Sequence, residues 1–245
     1  MSKRKLLNSP LKEVVFELHW DPSIENGQLS DKGYQLAQGR FGDLVKKDNP
    51  HHKSLIPENV PFSFFDVPHH QYWKAPFKWP VIQHGQGILA VNEIELGYKW
   101  VTFKSLLRAT VEKLIKSYDV KLKFNRIKLQ YVDSDTTGEV NEKEFIKKNL
   151  LTEINNSFSE PGSLKGFNLS QAYTLADGSE LQITIGTSLA NNPSAKSITW
   201  TTIIEKSQRF NEINEVFDWV ENAHNIASKM FVEMLSPEYY DSLDK

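Results

Sequence analysis

Apolar and polar side chains alternate near the start of the chain. Every second position from 14 to 20 is apolar, and Glu17 and His19 lie between them. A period of two is typical of a strand that buries one face. The same period recurs over residues 126–132 and 197–205, and the sequence therefore predicts strands in all three places.

Three other segments follow the helical period instead. Apolar residues recur at spacings of three and four over residues 34–45, 103–118 and 213–234. This spacing places them on one side of a helix and leaves polar residues on the other. The sequence therefore predicts three amphipathic helices that must bury one stripe against another layer.

Capping and terminating residues indicate where helices begin and end. Asp31 precedes the first helical stripe and is expected to cap it. Asn141 followed by Glu144 resembles a capping box and predicts a further helix. Pro237 lies just after the last stripe and is expected to stop that helix.

A hairpin signal completes the prediction of the fold class. Ala-Asp-Gly-Ser at 176–179 separates two strand-like runs, 170–175 and 181–187. Asp-Gly between alternating runs is the strongest short hairpin signal, and a short turn requires antiparallel strands. We therefore expect an α+β fold, with a mainly antiparallel sheet and amphipathic helices packed on one face.

The length of the chain suits one domain. We expect residues 1–245 to form a single α+β domain. A succession of strand, helix and strand occurs over residues 11–95 and again over 87–206. A weak internal duplication, with sub-halves 1–138 and 139–245, is the alternative that this echo leaves open.

Prolines and aromatic residues are concentrated in residues 48–80. Prolines interrupt long regular elements, whereas disordered segments are poor in aromatic residues. We expect an ordered segment with a short edge strand near 62–67. Tyr72, Trp73 and Trp79 are candidate binding residues for an apolar or peptide ligand. The alternative is that these rings cover one end of the core.

Composition excludes several classes of function. The net charge of −2 gives no general attraction to phosphate backbones, so nucleic-acid binding is not indicated. The absence of cysteine excludes disulfides and thiolate metal sites, and it suits a reducing compartment. No signal peptide, membrane span or phosphate-binding loop is recognisable. We therefore expect a soluble cytoplasmic protein without a cofactor.

Histidines and carboxylates provide weak candidates for a metal site. Imidazole and carboxylate groups are common metal ligands, and the candidates are His69, His70, Asp133 and Asp135. Their spacings match no metal motif, so no metal is predicted, and solvated loop residues are the alternative. His224, on the last helix, is a candidate binding or general-base residue, with a purely structural contact as its alternative.

Three segments carry a resemblance to a known family. They are NSPLKEVVFEL at 8–18, IKLQYV at 127–132, and WVENAHNI at 219–226 with Phe231 beyond it. They are similar to segments of a sporadically distributed family of uncharacterised bacterial and archaeal proteins of about 250 residues, close to the 245 of this chain. The resemblance implies no activity, cofactor or catalytic residue. Sporadic distribution implies horizontal transfer, and with it a role in defence or a toxin–antitoxin module.

Two functional hypotheses follow from these observations. The favoured one is a non-enzymatic interaction protein that holds a protein partner or a second copy of itself. It would use the aromatic segment or an open, polar sheet face. The residues expected on that face are Gln182, Thr184, Thr199 and Thr201. The alternative is a metal-dependent hydrolase or nuclease that uses the four metal candidates.

Overall fold

The computed structural model describes residues 6–25, 28–57, 65–94, 97–138, 140–155, 162, 166–188 and 196–244. Within these residues the chain forms strands and helices in a mixed order. The strands are β1 (Leu11–Trp20), β2 (Ser23–Glu25), β3 (Gln28–Ser30), β4 (His51–Ser54), β5 (Pro68–Trp73), β6 (Val81–Gly85), β7 (Ile88–Glu93), β8 (Phe124–Thr136), β9 (Asn168–Thr174), β10 (Glu180–Ser188) and β11 (Ser197–Phe210). The helices are α1 (Tyr34–Val45), α2 (Trp100–Ser117), α3 (Glu142–Asn149), α4 (Ile213–Met234) and α5 (Pro237–Ser242).

Nine of these strands form one sheet, in the order β4-β5-β6-β7-β1-β8-β11-β10-β9. The pairs β1–β7, β4–β5, β5–β6, β6–β7 and β9–β10 are antiparallel. Amphipathic helices pack against the sheet, and the predicted α+β class is therefore confirmed. None of the helices in the described part of the chain has an apolar stretch long enough to cross a bilayer.

Strand β1 shows how the alternation builds the sheet. The side chains of Val14, Phe16 and Leu18 share one face of the strand and have no exposed surface. Glu17 and His19 lie on the opposite face, in register with Ala90 and Ile88 of β7, and His19 is also buried. Burial of the apolar face supplies the main driving force for this arrangement.

The described residues fall into two compact units. One unit lies within Glu13–Gln130 and Glu205–Glu221, and its core includes Phe41, Leu107 and Val111, which are fully buried. The other unit lies within Met1–Lys12, Tyr131–Ile204 and Asn222–Lys245, and its core includes Ile146, Ile198 and Trp200. The single domain, the alternative sub-halves and the internal duplication stay predictions.

Two local predictions are confirmed. Asn141 is the N-cap of α3, and its side-chain oxygen accepts a hydrogen bond from the Glu144 N–H at 3.0 Å. Strands β9 and β10 form the predicted hairpin, and Leu175 donates its N–H to the Ser179 carbonyl at 2.7 Å. The cap and the hairpin each depend on residues close together in sequence, so both could be predicted without tertiary information.

The predicted role of Asp31 is wrong. The N-cap of α1 is Gly33. The Asp31 carboxylate instead accepts hydrogen bonds from the Trp20 indole at 2.9 Å and from the Tyr118 hydroxyl at 2.5 Å. Both of these bonds use Oδ2, whereas Oδ1 accepts the N–H of Gly33, the N-cap residue, at 3.3 Å, and no side chain caps the helix.

The segment rich in proline and aromatic residues contributes more to the sheet than predicted. It supplies β4 and β5, and β6 follows directly after it. Pro68 fits because it is the first residue of β5, a position where the missing N–H is tolerated. Residues 62–64 of the expected strand near 62–67 lie outside the described residues, and Phe65 makes an isolated parallel bridge to Gln86.

Candidate functional site

The predicted aromatic binding residues are mostly in the core. Tyr72 is 1% exposed and Trp73 is 7% exposed, whereas Trp79 is half-buried. The Tyr72 ring packs edge-on against Phe41, and burial followed by the nearby Asp43 charge raises the pKa of its hydroxyl to about 12. Their role in binding stays a prediction, and Trp79 is the most accessible of the three.

The histidine candidates belong to a cluster around β5 and β6. His70 lies opposite His84 in the sheet, and its Nδ1 is 3.1 Å from Nε2 of His52. Both His69 and His84 have no exposed surface. Burial, reinforced by the neighbouring imidazoles, lowers the pKa of His84 to about 3 and that of His70 to about 4. His70 and His84 are therefore neutral at physiological pH.

Rings surround His84 on several sides. The Phe41 centroid is 4.6 Å away, that of Tyr34 is 5.2 Å away, and that of Trp20 is 6.2 Å away. Among the described residues, neither ring nitrogen of His84 has a hydrogen-bond partner. His84 thus serves as a core aromatic residue whose polar atoms are left unsatisfied.

The carboxylate candidates lie on the helical side of β8. Asp133 is 4% exposed, and burial raises the pKa of its carboxyl to about 7, against the opposing charge of Lys12. Asp135 accepts a hydrogen bond from the Tyr239 hydroxyl at 2.6 Å. These two groups are therefore occupied by packing and hydrogen bonding beneath the helices.

The metal candidates do not assemble into a site. His69 and His70 belong to one compact unit, whereas Asp133 and Asp135 belong to the other. In the described part of the chain, no three His, Cys, Asp or Glu side chains are grouped so that they could hold a metal ion.

His224 makes a buried contact between helix and sheet. Its Nδ1 lies 2.8 Å from the Tyr131 hydroxyl, and its Nε2 lies 3.4 Å from the Ser228 hydroxyl. The ring is 8% exposed. Both nitrogens are engaged within the fold, and this geometry matches the structural alternative for His224.

A pocket of about 600 Å³ opens in the unit within Glu13–Gln130 and Glu205–Glu221. We call it the paired-charge pocket. Its lining residues are His19, Trp20, Asp21, Phe65, Asp66, Asn125, Arg126, Ser207, Gln208 and Arg209. They come from the end of β1, the start of β8, the end of β11 and the segment before β5.

Backbone geometry holds Asp66 in the pocket wall. Its φ of 64° lies in the left-handed region, which is unfavourable for residues other than glycine. Its N–H donates to the Gln86 carbonyl at 2.8 Å, which fixes the turn. Gly87, which follows Gln86 in the sequence, also has a positive φ, and a Cβ on it would lie 2.1 Å from the Phe65 ring. Glycine at 87 therefore allows Phe65 to line the pocket.

Each aspartate of the pocket has a basic partner. Arg126 donates from Nη2 to Asp66 Oδ2 at 2.7 Å, and Arg209 donates from Nη2 to Asp21 Oδ2 at 2.8 Å. Asn125 donates to the other Asp21 oxygen at 2.8 Å. These ion pairs are partly solvated, so they contribute little to stability and mainly fix the orientation of the groups.

Two carboxylates hold the His19 ring between them. Its Nδ1 contacts Asp66 Oδ1, and its Nε2 lies 3.3 Å from Glu17 Oε2. Burial alone would raise the pKa of Glu17, but hydrogen bonds from His19 and Lys128 outweigh it and keep the pKa below its usual value. Arg126 Nη2 also lies 3.1 Å from Nδ1 and 3.2 Å from Nε2, so both ring nitrogens of His19 are engaged within the protein.

The arrangement is suited to hydrogen bonding. A guanidinium carries five N–H groups in a rigid fork, and the Nη2 contacts to the aspartates leave other N–H groups to face a ligand. Ser207, Gln208 and Asn125 add hydroxyl and amide groups, and Trp20 and Phe65 add apolar surface. The pocket can therefore recognise a polar segment with both donors and acceptors.

Three of the four residues predicted on a polar sheet face lie together at one hollow. Thr184, Thr199 and Thr201 line a shallow hollow of about 290 Å³ in the other unit. The Thr199 hydroxyl donates to the Ser134 hydroxyl at 3.2 Å, and Gln182 donates to the Ser170 hydroxyl at 2.9 Å. The hydroxyls are thus bonded to one another along the sheet.

Sequence reasoning missed the paired-charge pocket. The alternation placed Glu17 and His19 between the apolar positions of one predicted strand, and it predicted a second strand over residues 126–132. Nothing in the sequence indicated that these strands are neighbours or that Asp66 reaches them. Neither a protein-family model nor the sequence of a curated protein matches the chain, and the family resemblance stays a prediction.

Proposed function

We propose that this protein is a non-enzymatic interaction protein that holds a polar segment of a protein partner in the paired-charge pocket. The observation that supports this function is the pairing of the pocket's charges. Asp66 is bound by Arg126, Asp21 is bound by Arg209, and His19 is held between carboxylates. Fixed, paired groups favour recognition, since little side-chain freedom remains to be lost when a partner binds.

The balance of charge supports a polar partner segment of low net charge. The aspartates of the pocket each face an arginine, so the pocket has no strong field of one sign. A peptide segment brings amide donors and acceptors that match Asn125 and Gln208. Its apolar side chains would pack on Trp20 and Phe65, in the manner of aromatic anchors at interfaces.

Photocrosslinking within the native host tests this function. Gln208, which lines the pocket, is replaced by p-benzoylphenylalanine, and irradiation is expected to yield an adduct with one protein that mass spectrometry identifies. Adding Arg126→Ala should weaken that adduct roughly tenfold, because truncating one partner of a charge pair that the bound segment covers costs about 1.4 kcal/mol or more.

Arg40→Ala is the matched control, because Arg40 also forms an ion pair with an aspartate, Asp119, and does not line the pocket. Its adduct should match that of the parent protein. The same photoreactive residue at exposed Lys116 provides the background. Adducts no stronger at 208 than at 116 would contradict the proposal.

The biological setting is part of the same proposal. The family resemblance favours a component of a bacterial defence or toxin–antitoxin module, and the absence of cysteine supports a cytoplasmic location. An adduct with a toxin, nuclease or nucleotide hydrolase would agree with that setting. Elemental analysis checks the hydrolase alternative, since about one metal ion per chain would favour it.

A further inference from the structure

The two edges of the nine-stranded sheet differ in a way that matters for association. β4 at one edge has four residues, and one of them is Lys53. Short edges with lysine resist pairing with another strand. β9 at the other edge has seven residues, Asn-Leu-Ser-Gln-Ala-Tyr-Thr, with neither a charge nor a proline. This edge therefore lacks the usual protection against strand addition.

The hydrogen bonds of the hairpin show which β9 groups face outward. Leu175 donates its N–H to the Ser179 carbonyl, and Thr187 donates its N–H to the Phe167 carbonyl. Odd-numbered residues of β9 therefore bond to β10, since antiparallel ladders alternate. The even-numbered residues turn their N–H and C=O groups away from β10, and these are Asn168, Ser170, Ala172 and Thr174. In the described part of the chain, β9 has a strand partner on one side only.

We propose that β9 pairs antiparallel with β9 of a second copy of this chain, with Gln171 opposite Gln171. This register pairs all four outward residues of both strands, Asn168 with Thr174 and Ser170 with Ala172. It forms about eight hydrogen bonds, because each such pair exchanges two. The sheet then continues from one copy into the other, which is strand addition with identical partners.

The side chains fit this register. Tyr173 is 47% exposed, and it lies opposite Leu169 of the second copy, so the pairing covers an exposed ring with an apolar side chain. The two Gln171 amides face each other and can exchange hydrogen bonds. Because β9 carries no charge, the pairing brings no like charges together. A ladder of this length buries a small area, and we expect a reversible dimer with a dissociation constant of roughly micromolar order.

This inference goes beyond the function of the paired-charge pocket, because it concerns a different surface. The two tests can fail independently: one reads a crosslink at Gln208 and the other reads the mass of the purified chain. The result at one surface therefore does not decide the proposal for the other surface.

Sedimentation equilibrium over a concentration series tests the dimer with the full chain. The unaltered protein should pass from monomer to dimer as its concentration rises. Gln171→Lys and Gln171→Glu should each weaken the dimer roughly tenfold or more, because two like charges then face each other across the pair. An equimolar mixture of the two variants should recover the dimer, since opposite charges then meet.

Two further variants make the result specific to β9. Ala172→Pro removes an outward N–H without removing a bond to β10, and it should also abolish the dimer. Gln35→Lys introduces the same charge at an exposed position of α1 and should leave association unchanged. A chain that stays monomeric at every concentration would overturn the proposal. So would a dimer that persists in Gln171→Lys, because it would use another surface.

Discussion

At the scale of single residues, burial shifts the pKa values of two ionisable groups in opposite directions. His84 is an unsatisfied imidazole in an aromatic surrounding, and burial lowers its pKa from 6.5 to about 3. Asp133 is a carboxyl beneath the helices, and burial raises its pKa from 3.8 to about 7. Since the unfolded chain has ordinary pKa values, each group couples folding to pH over a different range.

His84 should make the fold sensitive to acid. Below pH 6.5 the unfolded chain binds a proton at this position and the folded chain does not, so stability falls as the pH drops toward 3. The parent protein should lose free energy of unfolding between pH 7 and pH 4.5, and His84→Phe should lose about 2–3 kcal/mol less. The reason is that one pKa unit corresponds to about 1.4 kcal/mol. Urea unfolding at both pH values measures it.

His51→Phe is the matched control for this prediction, because His51 is exposed on the edge strand β4. It should leave the pH dependence as it is in the parent protein. An equal loss of stability at acid pH in His84→Phe and in the parent would show that the His84 ring is protonated in the folded state.

Asp133 should act in the opposite sense. Between pH 3.8 and about 7 the folded chain holds the proton more tightly, so the contribution of this group to stability is lost as the pH rises through 7. Asp133→Asn should therefore raise the free energy of unfolding near pH 8 by about 2–4 kcal/mol relative to the parent, and less near pH 5. Chemical denaturation at the two pH values measures the difference.

The control lies two residues further along β8. Asp135→Asn changes a carboxylate that accepts the Tyr239 hydroxyl, so it should not stabilise the protein at high pH. The opposite outcome is that Asp133→Asn is less stable than the parent, by the same amount at pH 8 and at pH 5. That outcome would mean that the charged Asp133 carboxylate has a stabilising partner.

At the scale of elements, local signals were read correctly where a short stretch of sequence contains the whole interaction. The α3 cap needs only Asn141 and the N–H of Glu144, and the β9–β10 hairpin needs only its own turn. The cap of α1 was misread because the helix begins later than expected, after Gly33. Asp31 bonds the Gly33 N–H through Oδ1, and through Oδ2 it bonds Trp20 and Tyr118.

The cap of α3 gives an element-scale prediction. Asn141→Ala should lower the free energy of unfolding by about 1 kcal/mol, because an orphan N–H at the helix start loses its acceptor. Thermal or urea unfolding measures the change. Asn141→Asp keeps an oxygen acceptor at the same place and should be close to neutral. Equal destabilisation by both variants would show that the amide nitrogen, and not the oxygen, matters there.

At the scale of the whole molecule, the order of strands in the sheet decides which polar residues meet. Asp66 lies 47 residues from His19 and 60 residues from Arg126 along the chain, yet it contacts both. The same order makes β9 an edge strand, and it covers Tyr72 and Trp73 within the core. Neither the pocket nor the free edge could be seen before the strands were arranged.

By itself the sequence determined the α+β class, the alternation of β1, the α3 cap and the β9–β10 hairpin. Each of these depends on periodicity or on a turn, which are properties of neighbouring residues. Only the tertiary structure decided that His19, Asp66 and Arg126 converge and that His69 and His84 are buried. Periodicity states which face of a strand is apolar, but it does not state which strand lies beside it.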